Sequence, residues 1–339
     1  MKEYIVKRIL LFTSLLIICA CNDTTPKPQV VVYTALDRMF SEPILKKFEQ
    51  QTGIEVRAKY DNESTKSVGL TACIIEESLR PRCDVFWNNE IINTLRLKKR
   101  GLLAPFSPPQ AKNIAKTYKD PQNYWTGFAA RARVILVNTD KVKPRDYPNS
   151  LWDFTDEKWR GKFGIAKPVA GTTATHIACL FALLGAEKTQ KLLQQLKKNQ
   201  VSIESGNKQC ARKVAEGELW AALTDTDDAM IEINDNKPVA MVYLDTKGMG
   251  TLFIPNTLAL IAKAPHPQSA KKLIDFLLSP QVEELLAKGP SAQIPLNSKT
   301  KTPARVKTPL QIKGMKVDFA EAASSWEEAR NYVTKFFLP

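Results

Sequence analysis

Histidine is nearly missing from this chain: His176 and His266 are the only two in 339 residues. They stand far apart and neither neighbours a predicted nucleophile. That excludes a histidine-rich zinc or manganese site, and His176 reads as a helix-packing residue. The six cysteines form no Cys-x-x-Cys and no Cys/His cluster at zinc-ligand spacing. There is no Gly-x-Ser-x-Gly elbow, no P-loop and no convincing pair of acid–base carboxylates, so nothing argues for catalysis. Internal repeats and low-complexity tracts are absent too. Lys and Arg outnumber Asp and Glu by 49 to 35, a net charge of +14. The basic residues are scattered, however, and no aromatic-interleaved basic stripe marks a nucleic-acid surface. The surplus reads as a solvated surface biased toward an anionic ligand or an anionic membrane.

No apolar run reaches the ~20 residues that cross a bilayer. The longest, over residues 9–18, follows a basic start made by Lys2, Lys7 and Arg8. A basic start with a short apolar core is a secretion signal, here residues 1–20. The run ends in Ile18-Cys19-Ala20-Cys21, which resembles a lipobox with small Ala20 before a lipidated Cys21. Ile18 and Cys19 are tolerated rather than preferred there. Residues 21–28 are polar and contain Pro26 and Pro28, as a tether should. Four cysteines remain: Cys73, Cys83, Cys179 and Cys210. An even number in an exported chain allows two disulfides, Cys73–Cys83 and Cys179–Cys210; buried free thiols are the other reading.

The rest suits a core of two domains at roughly 100–200 residues each. Strand-like Val30-Val31-Val32-Tyr33-Thr34 precedes helical spacing over 41–51, stopped by Gly53. A strand over 54–58, a helix over 65–79, a strand over 84–87 and a helix over 91–100 follow. This β-α-β-α-β rhythm predicts a parallel sheet covered by helices, with ligands at the carboxyl ends of strands. Two long extended segments come later, over 127–138 and 251–261. Helices are expected after Gly171-Thr172-Thr173 and over 187–198, 208–217, 270–278, 280–287 and 319–337, and a buried strand over 219–224.

The order of several segments resembles one family. They are Val31-Val32-Tyr33-Thr34-Ala35, Asp84-Val85-Phe86-Trp87, Trp125-Thr126-Gly127-Phe128-Ala129-Ala130-Arg131-Ala132-Arg133-Val134, Gly171-Thr172-Thr173-Ala174-Thr175-His176, and Pro265-His266-Pro267 leading to Leu278-Ser279-Pro280. Together they are similar to the iron(III)-type solute-binding proteins of ABC importers, across essentially the whole mature chain. The resemblance implies an α/β, two-lobed type II periplasmic-binding-protein fold. Lobe one would be residues 29–130 and 263–339, lobe two residues 131–262, and the two extended segments would be hinge strands. It also implies a lipid-anchored monomer of the cell envelope. Its partners would be a permease, the permease's ATPase and a small ligand, with no nucleic acid and no catalytic cofactor.

The ligand set follows from chemistry and resemblance together. Arg131 and Arg133 alternate on a strand and offer rigid forks for carbonate, carboxylate or phosphate, or for an inter-lobe salt bridge. Gly171, Thr172 and Thr173 open a helix, where free N–H groups hold an anion or a threonine simply caps. Asp225, Asp227 and Asp228 follow a buried strand. Asp227 and Asp228 stand where iron-binding relatives carry adjacent tyrosines. As hard oxygen donors they suit a cation, and equally sugar hydroxyls or an ammonium group. In the first lobe Asp37 takes the place of a histidine of the relatives, Glu90 keeps a carboxylate, and Asn88 and Asn89 lie beside it. Tyr33 either lines the cleft or packs; Tyr243 and Asp245 are weaker candidates. The metal ligands implied are Glu90, Asp227 and Asp228, holding Fe(III) with carbonate or phosphate. The missing tyrosines leave an organic phosphate, such as a sugar phosphate, as the alternative. An exported enzyme on the same fold is disfavoured. If the lipobox reading holds, Cys21→Ser abolishes labelling by a radioactive fatty acid and releases the protein from membranes; persistent labelling rejects it.

Overall fold

The computed structural model describes residues 27–61 and 67–338. The signal segment, Cys21 and most of the tether lie outside the described residues. Ten strands are present among the described residues: β1 (Gln29–Thr34), β2 (Glu55–Tyr60), β3 (Val85–Asn88), β4 (Leu103–Ala104), β5 (Thr126–Asn138), β6 (Phe163–Ala166), β7 (Ser202–Glu204), β8 (Ala221–Asp225), β9 (Val239–Tyr243) and β10 (Phe253–Ile261). The helices are α1 (Arg38–Thr52), α2 (Val68–Glu76), α3 (Ile92–Lys99), α4 (Gly171–Leu184), α5 (Ala186–Lys198), α6 (Asn207–Ala215), α7 (Thr226–Asn234), α8 (Pro267–Leu277), α9 (Pro280–Lys288), α10 (Phe319–Ser324) and α11 (Trp326–Tyr332). Helix α1 shows why such segments form. It buries Phe40, Ile44, Leu45 and Phe48 on one face and ends at Gly53, whose φ of 68° is the left-handed stop that glycine adopts without a Cβ penalty.

The strands join into one sheet in the order β2-β1-β3-β10-β5-β8-β6-β7. Its spine is β5, buried along all 13 residues. The first half of β5 pairs with β10, setting Gly127 against Thr257 and Ala132 against Phe253. The second half pairs with β8 and β9, setting Arg133 against Asp225 and Val134 against Tyr243. Two lobes therefore meet along β5 and β10, and the first lobe is built from both ends of the chain. Strands β3, β5 and β10 are covered on both faces, so every residue along them is buried rather than every second one.

The crossing strands are bent at one level. Ala129 of β5 has a φ of 41°. Opposite it the β10 register shifts between Ile254 and Asn256, across Pro255, which has no N–H to give the ladder. The freed groups find other partners. The Ala129 N–H donates to Glu283 Oε1 at 2.7 Å, Asn256 Nδ2 donates to the Ala129 carbonyl, and Ala130 exchanges two 2.7 Å bonds with Ile294. A Cβ at Gly127 would lie 3.0 Å from the Pro255 Cβ and 3.1 Å from the Tyr118 carbonyl, so this close crossing favours glycine.

Several expectations change. Strands β6, β7 and β9 were not foreseen, being too short or too half-buried to show a period. The expected helix over 319–337 is interrupted at Ser325 into α10 and α11 and finishes in a wide turn over Val333–Phe337. These C-terminal residues, expected in lobe one, lie against lobe two as well: Ala322 and Trp326 share a cluster with Ala174, Ala178 and Cys179 of α4. Ala329, Val333 and Phe337 share another with Phe181 and Leu192. No described helix is long and apolar enough to cross a membrane.

Neither disulfide forms: Cys73, Cys83, Cys179 and Cys210 are all free thiols. Cys83 instead donates to the Val85 carbonyl at 3.2 Å, and Lys59 Nζ lies 3.3 Å from Cys73 Sγ. Burial pushes the Cys83, Cys179 and Cys210 thiols up, which disfavours the reactive thiolate. Cys73 alone of the four is half-exposed. Of these four, iodoacetamide on the native protein at pH 8 should modify Cys73 alone, and the other three only after denaturation; a native adduct at Cys83, Cys179 or Cys210 by mass spectrometry would contradict this packing.

His176 is buried on α4, and its pKa falls to about 3, through burial first and the Arg133 charge second. The unfolded imidazole protonates near pH 6.5, while the folded one stays neutral. Stability contributed by the neutral ring is therefore present above pH 6.5 and lost as pH falls toward 3. Between pH 7 and 5 the loss is about 2 kcal/mol. Urea unfolding should show this slope, and His176→Gln should flatten it.

Candidate functional site

Three strand ends deliver the site. After β6 the chain turns at residues 167–170 into α4, after β7 at Ser205-Gly206 into α6, and after β8 directly into α7. Each of these helices begins without a side-chain cap. The first N–H groups of a helix have no intrahelical partner and carry the positive end of its dipole. All three N-termini meet at one cavity of about 250 Å³. Gly171, Thr172, Thr173, Gly206, Asn207 and Asp225 line it, with Lys167 and Ser205 beside them. Asp37, Asn89 and Arg131 close it from the other lobe and the spine, and Asp227 and Asp228 complete the wall.

A buried network holds this wall in place. Arg133 has no exposure and donates to Asp225 Oδ1 at 2.6 Å, and to the Thr172 hydroxyl and Asn207 Oδ1 at 3.1 Å each. Its other terminal nitrogen donates to the Thr173 hydroxyl at 3.1 Å. Thr172 in turn donates to Asp225 Oδ2 at 2.5 Å, and Asn207 Nδ2 donates to the same oxygen at 2.9 Å. Asp225 thus sits at the N-cap of α7 but spends its carboxylate on Arg133, Thr172 and Asn207 rather than on the helix. Both threonine hydroxyls face the network as well. What α4 offers to the cavity is its backbone.

Arg131 is placed differently. It is 2% exposed, yet it lines the cavity. Its Nε donates to Asp227 Oδ2 at 3.1 Å, and one terminal nitrogen donates to the Asn89 carbonyl across the lobes. The other, Nη2, is buried with no protein partner. Burial alone would lower its pKa. Asp227, Asp225, Asp37 and Asp228 outweigh that and raise it, so Arg131 stays charged. Asp225, Asp227 and Asp228 each present an oxygen within 4.8 Å of the others. Asp225 is engaged by Arg133, and Asp227, Asp228 and Asp37 line the cavity beside it. The cavity is therefore lined by both positive donors and carboxylates, which touch at the Arg131–Asp227 pair.

Nine of the expected residues come together here: Asp37, Asn89, Arg131, Gly171, Thr172, Thr173, Asp225, Asp227 and Asp228. The others lie elsewhere. Arg133 sits behind the wall. Glu90 is 1% exposed and its oxygens accept from Asn88 Nδ2 at 2.8 Å, the backbone N–H of Ile92 at 2.5 Å and of Asn93 at 3.0 Å, and the Thr175 hydroxyl at 3.0 Å. It caps α3 and ties it to α4, and Asn88 supports it. Neither Glu90 nor Asn88 lines the cavity. Tyr33 donates to Glu77 at 2.9 Å within the packed outer layer of lobe one. Tyr243 pairs in β9, with burial pushing its phenol up to about 12, and Asp245 sits in a turn with φ 53°. Asn207 and Lys167 were not foreseen. An asparagine after Gly206 looks like any helix start, and nothing local announces its partners on β5, α4 and β8.

A family model described as bacterial extracellular solute-binding protein matches residues 92–321. Among curated relatives, the major ferric iron-binding protein of Neisseria meningitidis is 25% identical over 83% of this chain and 85% of its own length. Iron uptake protein A1 of Synechocystis is 26% identical over 78% of this chain and 75% of its own length. Among solved structures, iron-bound HitA from Pseudomonas aeruginosa superposes with a TM-score of 0.82 at 25% identity, covering 90% of this chain and 99% of that one. The periplasmic binding protein AfuA from Actinobacillus pleuropneumoniae, solved with fructose-6-phosphate, gives 0.82 at 24% identity over 92% and 100%. With two lobes hinged on β5 and β10 and a ligand-sized cavity between them, the chain belongs to the bacterial extracellular solute-binding proteins.

Proposed function

We propose that this protein is the lipid-anchored solute receptor of an ABC importer, capturing ferric iron with an accompanying oxyanion and presenting it to the permease. The observation that carries the reading is the mixed lining of the cavity: Arg131, whose buried Nη2 has no protein partner, and three uncapped helix N-termini stand beside Asp37, Asp227 and Asp228. The donor wall suits carbonate or phosphate, and the carboxylates suit a hard, oxygen-seeking cation. The curated relatives named for ferric iron point the same way. The mechanism is capture without chemistry. The lobes rotate about the bends at Ala129 and Pro255, and Arg131, bonded to Asn89 on one side and Asp227 on the other, joins the closed walls. Cys21 anchors the chain, and one copy suffices for binding.

One observation favours a second reading. The cavity of about 250 Å³ is roomy for one ion and a small anion, and no tyrosine lines it. An organic phosphate would place its phosphate on α4, α6 and Arg131 and its hydroxyls on the aspartates.

Titration calorimetry with ferric iron plus carbonate, and separately with a sugar phosphate, should show one saturable site for the true ligand. Asp227→Asn should weaken it about 10- to 150-fold, the value of one charged hydrogen bond, and should also lower the melting temperature, because the buried Arg131 loses its ion-pair partner. Arg133→Ala should instead destabilise the empty protein by about 3–5 kcal/mol, because it leaves Asp225 buried and unpaired. A chelator strips the ligand in the first reading and has no effect in the second. Unchanged affinity in Asp227→Asn for both ligands overturns the site.

A further inference from the structure

A large cavity lies away from the cleft and shares no lining residue with it. It is a groove of about 1170 Å³ between the C-terminal half of α3, residues 117–125, the start of β10 and residues 314–324. Its floor is apolar: Leu95, Trp125, Phe253, Met315, Val317 and Phe319. Trp125 and Phe253 are buried, and the other four are half-buried. The rim is cationic, with Arg96, Lys98, Lys99, Lys119 and Lys316 against Asp120 and Asp318.

The two acids are already engaged. Asp120 accepts from Lys98 at 2.5 Å and from the N–H groups of Gln122 and Tyr124 at 3.0 and 3.1 Å. Asp318 caps α10 through the Ala320 N–H at 2.7 Å. Arg96 is drawn to Asn93 and Glu327, and Lys119 donates to the Ala111 carbonyl. Lys99 and Lys316 remain, exposed at the rim and paired with no carboxylate among the described residues. An apolar floor favours a hydrocarbon surface, and a rim with surplus positive charge selects one that ends in an anion.

We propose that this groove is a second ligand site, distinct from the solute cleft, for a single-chain anionic amphiphile: an alkyl chain ending in a carboxylate. The chain lies on Trp125, Phe253 and Phe319, and the carboxylate meets Lys99 and Lys316. The proposal is independent of what the cleft holds.

Decanoate, octanoate, decan-1-ol and acetate are titrated into the full mature protein by calorimetry, below any micelle concentration. Decanoate should bind at one site per chain. Octanoate should bind more than tenfold more weakly, since each buried methylene contributes a factor of about four. Decan-1-ol should bind at least tenfold more weakly than decanoate, and acetate not at all. The exposed double variant Lys99→Glu/Lys316→Glu should lose at least tenfold for decanoate while keeping its melting temperature and its solute affinity. Val317→Asp, which charges the floor, should do the same. Equal decanoate affinity in both variants, or non-saturable uptake, overturns the proposal. Flotation with anionic phospholipid vesicles supplies the remaining arm: loss of vesicle binding in the double variant, with no decanoate binding in the native protein, would make this face a membrane contact and overturn the single-chain site.

Discussion

Arg133 is the residue on which the site's architecture rests. A guanidinium without solvent contact is tolerable only with a counter-charge and hydrogen bonds, which Arg133 finds at its two terminal nitrogens while its Nε is left without a partner. Asp225 supplies the charge, and Thr172, Thr173 and Asn207 supply further acceptors. Those partners come from β8, α4 and α6, so one side chain on β5 sets where three helices begin. The ligand wall is then mostly main chain, positioned from behind. A backbone cradle of this kind loses no side-chain entropy when it binds, whereas long flexible cations would.

The same network separates the roles of three aspartates that look alike in sequence. Asp225 supports, Asp227 is shared between Arg131 and the cavity, and Asp228 faces the cavity half-exposed. Their clustering in the first turn of α7 is also favoured by the helix dipole. Burial and position, rather than residue type, decide which of them a ligand meets.

Much of this was legible beforehand. The β-α-β rhythm, the two extended segments and the Gly-Thr-Thr helix start are local patterns, and each lies where its period placed it. The two-lobed class followed from the order of segments. What was hidden depended on distant partners. Glu90 reads as a free carboxylate until Ile92, Asn93 and Thr175 are seen to surround it. Tyr33 reads equally as a cleft residue or a packed one until Glu77 takes its hydroxyl. Cysteine pairing cannot be read from spacing, because it requires the Cα atoms to be near and the Cβ vectors to converge. The C-terminal helices belong to a neighbour more than a hundred residues earlier, and no periodicity encodes that.

The return of β10 into the first half of the sheet has a kinetic consequence. Strand β3 waits for its antiparallel neighbour from Val85 until Thr257–Leu260 arrives, and the Ala129 bend waits for Glu283 and Ile294. Contacts this remote in sequence close slowly, since long loops must be ordered before their pairing is rewarded. The second half of β5 and strands β6 to β9, by contrast, pair among themselves. In a chain delivered N-terminus first, the middle would thus acquire structure while the earliest strands still expose an unpaired edge. Such an edge is the kind of surface that holding chaperones recognise and that aggregation exploits.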